Sequence, residues 1–539
     1  MKYTGDVIVK ILENAGIKRI WGITGDSANY ITAAISKSSI DFMHVRHEES
    51  AAFAAAAESK ATNKLSACIG SCGPGSLHLI NGLYEANTNG VPVLCIATHI
   101  LKNEIGFNYI QETDPKLLFT GCSKYCAYVQ SSEQLPRLML HAMQTAIAQK
   151  GVAVLIVSGD ISSQEYSGNN ISKVIPQYPS PQIYPDEEEL YMLASLINKY
   201  DEILIIGGEG CADANSEIME LAKRANAAVA WTFGGKEYLE YNNPYPIGII
   251  GKLGTKSVNE AIRSSDLIIQ LGCSISLSEY KTRGIIIQIG INERSFGTEH
   301  QIDYAFRGKV KDTLSRLLPL INEHCSRCYV EEVTMPYLNR KKQYEDLCKQ
   351  VVNKDNLILS EYLFCLLNQK LALDACIASD TGTALILTQW YIKATEKRRF
   401  FQSYKWGSMG NALPFAIGVK ASMPDREVIA ICGDGGLSML LGELLTIIQL
   451  NLPVKILLLN NGKLDYSGLD FIENGLKPIH IDLTPVNFAE MAKTIGFEAW
   501  HIENAEDLDS AIDSWLNHAG PAFLEVKVAS ITDAHLANL

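Results

Sequence analysis

Residues 428–461 constrain this chain more than any other stretch. Val428-Ile429-Ala430-Ile431-Cys432 is an apolar run that stops at glycine and reads as a buried strand. Gly433-Asp434-Gly435-Gly436 turns the chain tightly. Leu437 to Leu450 is apolar on most faces, interrupted only by Gly442, and predicts a buried helix that Asn451-Leu452-Pro453 ends. Val454 to Leu459 is a second buried strand, with Asn460-Asn461 at its end. Strand, helix and strand in this order bring two carboxyl ends to one sheet edge, where ligands bind in such folds. The glycines let backbone N–H groups approach a phosphate at a helix N-terminus. Asp434 and Asn461 add a carboxylate and an amide oxygen, hard donors suited to a Mg2+ that also takes diphosphate oxygens.

The rest of the chain repeats the alternation. At 539 residues it is too long for one core, and about three domains are expected. Residues 1–175 alternate helix and strand, the pattern of a parallel, helix-covered sheet. Phe42-Met43-His44-Val45 is one such strand, ending in Arg46-His47-Glu48-Glu49, and an alanine-rich helix follows at Ala51 to Ala57. A carboxylic acid at Glu48 can share a proton with a heterocycle nitrogen. Gln177 to Pro185 is a proline-rich linker. Residues 186–325 form a second unit with a glycine turn at Gly207-Gly208-Glu209-Gly210, and a third unit spans 350–539. The fold class is therefore α/β, with three doubly wound parallel-sheet domains.

Composition excludes several classes. The chain is globular, with 47% hydrophobic and 20% charged residues. A net charge of -13 without a basic stripe argues against nucleic acid. No apolar run is long enough to span a membrane, and no signal peptide is read at the N-terminus. The thirteen cysteines are scattered and are expected to be reduced, in a cytoplasmic protein. Cys325 and Cys328 make a single CxxC with no second pair, so no zinc site is expected.

The stretch from Gly433 to Asn461 resembles the thiamine diphosphate signature, GDG to NN, of the pyruvate oxidase and acetolactate synthase superfamily. The resemblance covers residues 1–535 in one domain order, and RHEE, GSCGPG, CGDGG and LPVKI-x3-NN keep their order and spacing. It implies a pyrimidine-binding domain (1–175), a central FAD-type domain (186–325) and a diphosphate-binding domain (350–539). It implies that Asp434, Asn461 and the backbone carbonyl of Lys463 hold Mg2+, and that Gly433 to Gly436 cradle the diphosphate. RHEESAAFAAAAE makes Glu48 the catalytic glutamate that contacts the aminopyrimidine N1' of the cofactor, with Gly73 in the loop beside it. Thr381-Gly382 resembles the diphosphate-contacting segment, and Ser408-Met409 the GSM segment whose Met lies under the thiazolium. The resemblance implies FAD contacts at Gly251, Lys252, Leu253, Gly272, Ser274 and Asn292.

Departures from the family pattern gather on the flavin side. Gly290 in QIGIN and Lys309 after Gly308 stand where the family writes acidic residues, which commonly hold ribose hydroxyls or adenine nitrogens. Ile110 replaces a Phe, and Asp465-Tyr466 replaces Gly-Phe on the helix that selects the substrate. The resemblance implies decarboxylation of a 2-keto acid, pyruvate first, followed by two-electron oxidation through FAD. The alternative is a non-redox lyase or carboligase with a degenerate flavin site. A non-catalytic scaffold is the third reading, and intact Glu48, Asp434 and Asn461 speak against it. Active sites between subunits of a homodimer or homotetramer are implied, and no C-terminal amphipathic membrane anchor is evident.

Overall fold

The computed structural model describes residues 2–168, 171, 175–251, 254–324, 328–353 and 355–531. Its frame is three six-stranded sheets in which every neighbouring pair of strands is parallel. The first contains β1 (Arg19–Gly22), β2 (Asp41–His44), β3 (Ser66–Gly70), β4 (Val93–His99), β5 (Tyr125–Tyr128) and β6 (Val152–Ser158), in the order β2-β1-β3-β4-β6-β5. The second contains β7 (Ile203–Gly207), β8 (Ala228–Trp231), β9 (Pro246–Ile249), β10 (Leu267–Leu271), β11 (Ile285–Gly290) and β12 (Tyr304–Arg307), ordered β12-β11-β10-β7-β8-β9. The third contains β13 (Cys376–Ser379), β14 (Arg399–Gln402), β15 (Val428–Gly433), β16 (Lys455–Asn460), β17 (Glu498–Ile502) and β18 (Ala522–Lys527), ordered β14-β13-β15-β16-β18-β17. Helices cover both faces, so central strands such as β4, β6, β7 and β10 are buried at every residue and read as continuous apolar runs.

Near its middle each sheet reverses its winding direction, between β1 and β3, between β7 and β10, and between β13 and β15, and the first and third sheets turn back again at their far edges, where β6 and β18 insert beside β5 and β17. Such a switch point leaves a crevice outside the carboxyl ends of the two strands. Of the expected thiamine-side residues, Gly73, Thr381, Gly382 and Asp434 follow strands flanking the outer two crevices, and Glu48, Met409 and Asn461 follow their neighbours β2, β14 and β16.

The first and third sheets share one hydrophobic core that runs from Trp21 and Phe53 to Phe415 and Phe523. Its centre is the contact between the helices Glu48–Thr62 and Ala412–Ser422. The alanines of the first helix and Gly418 of the second permit this approach: a Cβ on Gly418 would stand 2.2 Å from the Ala54 carbonyl oxygen. The middle sheet has its own cores, and Glu237 and Glu240 fix it to the third by accepting the backbone N–H groups of Phe400 (2.9 Å) and Ala394 (2.7 Å).

Three local expectations change. The alanine-rich helix begins at Glu48, three residues before the expected Ala51, so Glu48 stands at a helix N-terminus, with His47 as its cap. The helix expected over 437–450 is two, Asp434–Met439 and Glu443–Gln449, broken around Gly442. The cysteines are not all free: Cys348, just past the helix Cys328–Leu347, forms a disulfide with Cys365, their Cα atoms 5.9 Å apart. The Cys325–Cys328 motif falls on Cys325, outside the described residues, and on a side chain of which nothing is described. Among the described residues no helix is long and apolar enough to cross a membrane.

Candidate active site

A cleft opens at the β13/β15 switch point. Thr381, Gly382, Met409, Gly433 to Gly436, Asn461 and Lys463 line it, together with Asp465 and Tyr466. The strand–turn–helix unit expected from the sequence thus brings its carboxylate, its glycines and its terminal Asn to one wall. Gly433 faces open space, and Gly382 adopts φ +110°, a left-handed conformation open to glycine.

Asp434 is the first residue of its helix and only 4% exposed. Its Oδ1 accepts the Gly435 N–H (3.0 Å) and its Oδ2 the Gly462 N–H (2.8 Å). Burial pushes its carboxyl up to about 6, against the pull of those amides. Asn461 Oδ1 accepts the Lys463 N–H (3.1 Å), and its Nδ2 donates to Asp465 Oδ2 (2.9 Å). The Gly462–Leu464 segment is backed by 481–483 through Leu464 N–H to Ile481 O (2.7 Å) and Leu483 N–H to Gly462 O (2.8 Å). Among the described residues no three His, Cys, Asp or Glu side chains gather as a metal cage. One carboxylate and one amide oxygen on this wall are hard donors of the kind that suit a cation sharing its shell with a ligand's oxygens.

Asp380, at the end of β13, was not anticipated. It is 1% exposed, accepts the N–H groups of Thr381 (3.0 Å) and Asn411 (3.2 Å) and the Asn411 side-chain amide (3.2 Å), and burial pushes it up to about 7. A Cβ on Gly436 would lie 1.7 Å from its Oδ2, so the last glycine of the turn exists to let this carboxyl in. Thr381 Oγ1 donates to Ser408 O (2.7 Å), which joins the two predicted cofactor segments, while Ser408 itself lies outside the cleft lining. The Met409 Cε lies 3.5 Å from where a Gly435 Cβ would stand.

Glu48 lies elsewhere. Every residue lining the cleft falls between Ser360 and Val528, and Glu48 belongs to the first sheet's edge. It is 8% exposed, and its Oε2 meets His78 Nδ1 at 2.9 Å. A Cβ on Gly75 would stand 3.0 Å from its Oε1, so the glycine loop passes directly beside the carboxylate. Gly73 has φ +62° and packs under Gln111. Glu443 of the third domain accepts the N–H groups of Arg46 and His47, both at 3.0 Å, which fixes the approach to Glu48. His78 and Glu443 were missed because their partners lie 30 and nearly 400 residues away; His78 sits within the glycine-loop block already singled out.

At the middle sheet the candidate flavin residues form a different picture. Gly272 has φ +58°, and its backbone lies against Gly210: Gly210 N–H donates to Gly272 O (3.0 Å) and Gly208 N–H to Leu271 O (3.0 Å). The β7/β10 crevice is therefore occupied by the chain's own turns. Ser274 donates to Ser295 O (3.2 Å), and Asn292 accepts the Arg294 N–H (3.3 Å). Buried Gln288 binds Cys273 O, Ser295 O and Gly297 N–H, folding residues 292–297 over the strand ends. Gly251 has φ +127° and an open side; Lys252 and Leu253 lie outside the described residues.

Comparison with known proteins accounts for this arrangement. The family models described as thiamine pyrophosphate enzyme N-terminal TPP binding domain, central domain and C-terminal TPP binding domain match residues 2–118, 190–317 and 380–526. The chain belongs to the thiamine pyrophosphate enzymes. YdaP of Bacillus subtilis (strain 168), provisionally named as a thiamine pyrophosphate-containing protein, is 30% identical over 98% of this chain and 92% of its own length. Pyruvate oxidase of Lactiplantibacillus plantarum is 27% identical over 94% of this chain and 85% of its own. The acetolactate synthase isozyme 2 large subunit of Escherichia coli (strain K12) is 27% identical over 97% and 94%.

Proposed function

We propose that the protein is a thiamine diphosphate- and Mg2+-dependent enzyme that decarboxylates a 2-keto acid, pyruvate first among them, without a flavin. The observation that carries the thiamine half is the cleft in which Gly433–Gly436, Asp434, Asn461 and Thr381–Gly382 converge. The residues fit: open glycines for a diphosphate, and Asp434 and the amide and main-chain oxygens of Asn461 and Lys463 for Mg2+. The pyruvate oxidase and acetolactate synthase relatives support the substrate class.

When bound, thiamine diphosphate supplies the electron sink for loss of CO2 from the keto acid. Asp434 would hold Mg2+ and balance its charge beside the diphosphate. Met409 and Leu464 give the cleft an apolar wall that excludes water. The Glu48 carboxyl, held in place by His78, would meet the cofactor's pyrimidine nitrogen and share a proton with it. Glu48 does not line the cleft, so we read the complete site as one that a second copy finishes. Exposed Phe107, Ile110 and Leu117 on the Glu48 side, and Met439 beside the cleft, support a homodimer or larger assembly.

The flavin does not fit the described part of the middle domain. Its switch-point amides are spent on Leu271 and Gly272. Gly290 ends β11 without a carboxylate, and a Cβ there would lie 3.6 Å from the Phe296 ring. The Lys309 ammonium binds Pro181 O (2.6 Å). Neither Gly290 nor Lys309 offers a carboxylate for ribose hydroxyls, so the reading favoured is the lyase or carboligase one. The test is CO2 release from pyruvate with Mg2+ and thiamine diphosphate, beside the visible spectrum after incubation with FAD and removal of the excess. We expect release and a colourless protein. A retained flavin band bleached by pyruvate would overturn the non-redox reading, and absence of any CO2 release from 2-keto acids would overturn the decarboxylase reading.

A further inference from the structure

We infer that Asp465 is a positioning residue that fixes which atom of Asn461 faces the metal and couples that choice to the C-terminal segment; this rests on the Mg2+ reading above. Asp465 is 3% exposed, lines the cleft, and opens the helix Asp465–Glu473. Three donors converge on it: Asn461 Nδ2 on Oδ2 (2.9 Å), the Ile531 N–H on Oδ2 (2.6 Å) and Ser530 Oγ on Oδ1. Its helix begins four residues after Asn461, while Ser530 and Ile531 come from the segment that follows β18.

A carboxylate accepts hydrogen bonds and donates none, so it selects the NH2 end of the Asn461 amide. The opposite end, Oδ1, then points away from Asp465 and takes the Lys463 N–H with one lone pair. The second lone pair remains for a cation. Without the carboxylate the amide can rotate by half a turn and offer its NH2 group, which repels a cation. A glycine at this position would supply no such lock. The Ser530 and Ile531 contacts hold the carboxylate itself, so residues 530–531 become part of the metal site's support although they touch no ligand atom.

The experiment titrates Mn2+, as a paramagnetic stand-in for Mg2+, into the full-length protein with thiamine diphosphate present and reads free Mn2+ by EPR. Four proteins are compared: wild type, Asp465→Ala, Asn461→Ala and the double variant. We expect Asp465→Ala to weaken Mn2+ binding about 10–100-fold, the range for removing an outer partner of a metal ligand. In the Asn461→Ala background the same change is expected to cost nothing further. Equal losses in both backgrounds, or no loss from Asp465→Ala, would overturn the inference. If wild type itself shows no thiamine diphosphate-dependent Mn2+ binding, the metal reading fails first. Should Asp465→Ala not fold, Asp465→Asn, which keeps the volume and loses the acceptor-only character, is read by the same criteria. Rescue of affinity in that variant, measured as wild-type binding, would equally contradict the amide-orientation argument.

Discussion

Asp380 offers a quantitative test of how the cleft is built. Its carboxyl ends β13 inside the third domain, against Gly436, and burial raises it from an ordinary 3.8 to about 7. A carboxyl raised in this way is protonated in the folded protein and ionised in the unfolded chain between those two values. The folded state therefore binds more protons there, and stability falls as pH rises from about 4, reaching a floor above about pH 7. Each pH unit of the gap is worth about 1.4 kcal/mol, so the full loss is roughly 4 kcal/mol. Asp380→Asn keeps an acceptor for the Thr381 and Asn411 N–H groups and removes the titration. Its stability relative to wild type should therefore climb between pH 4 and 7 and stay level above. For a unit of 150–250 residues, about 2–4 °C per kcal/mol gives a gain in Tm of about 8–16 °C at pH 8. The assay is differential scanning calorimetry of the ligand-free protein at a fixed scan rate, from pH 5 to pH 8. An equal Tm difference between variant and wild type at all these pH values would refute the argument that Asp380 is buried in a protonated form.

Other expectations follow from the same geometry. Glu48→Gln should lower the rate of CO2 release by about 10²–10⁴-fold in steady-state assays, with thiamine diphosphate affinity within a few-fold of wild type. Protons compete with the cation at Asp434, whose carboxyl sits at about 6, so Mn2+ affinity measured by EPR should be level above pH 6 and fall about tenfold per pH unit below it. Gly418→Val places side-chain atoms where a Cβ already stands 2.2 Å from Ala54 O. It should destabilise the packed first and third domains by about 1–3 kcal/mol or more, seen as a shifted unfolding midpoint in urea.

The strands were legible because parallel strands buried on both faces write themselves as uninterrupted apolar runs; β15 and β16 lie where 428–432 and 454–459 were read. The cleft's own unit was legible for the same reason, with Asp434 and Asn461 at the ends of neighbouring strands. Where the pattern is apolar on every face it carries no period, and the break at Leu440–Gly442 inside the expected single helix could not be seen. Partnerships across the chain left no local signal either. Asp465 meets Ser530 over 65 residues, Glu443 caps Arg46 and His47, and Cys348 meets Cys365 only because two helices pack end to side. Asp465 was noticed as a departure from the family pattern, and its role becomes readable only once Asn461 and Ile531 are seen on the same carboxylate. The loss of acidic residues at Gly290 and Lys309 was visible in the sequence; that the neighbouring crevice is closed by Gly210 against Gly272 was not.

The most direct test of the central claim is calorimetric titration of the purified protein with thiamine diphosphate, with and without Mg2+, for wild type, Asp434→Ala and Glu48→Gln. The account predicts saturable binding that requires Mg2+, is lost in Asp434→Ala and persists in Glu48→Gln. Binding that ignores Mg2+ and the Asp434 substitution, or no binding by wild type at all, would contradict it.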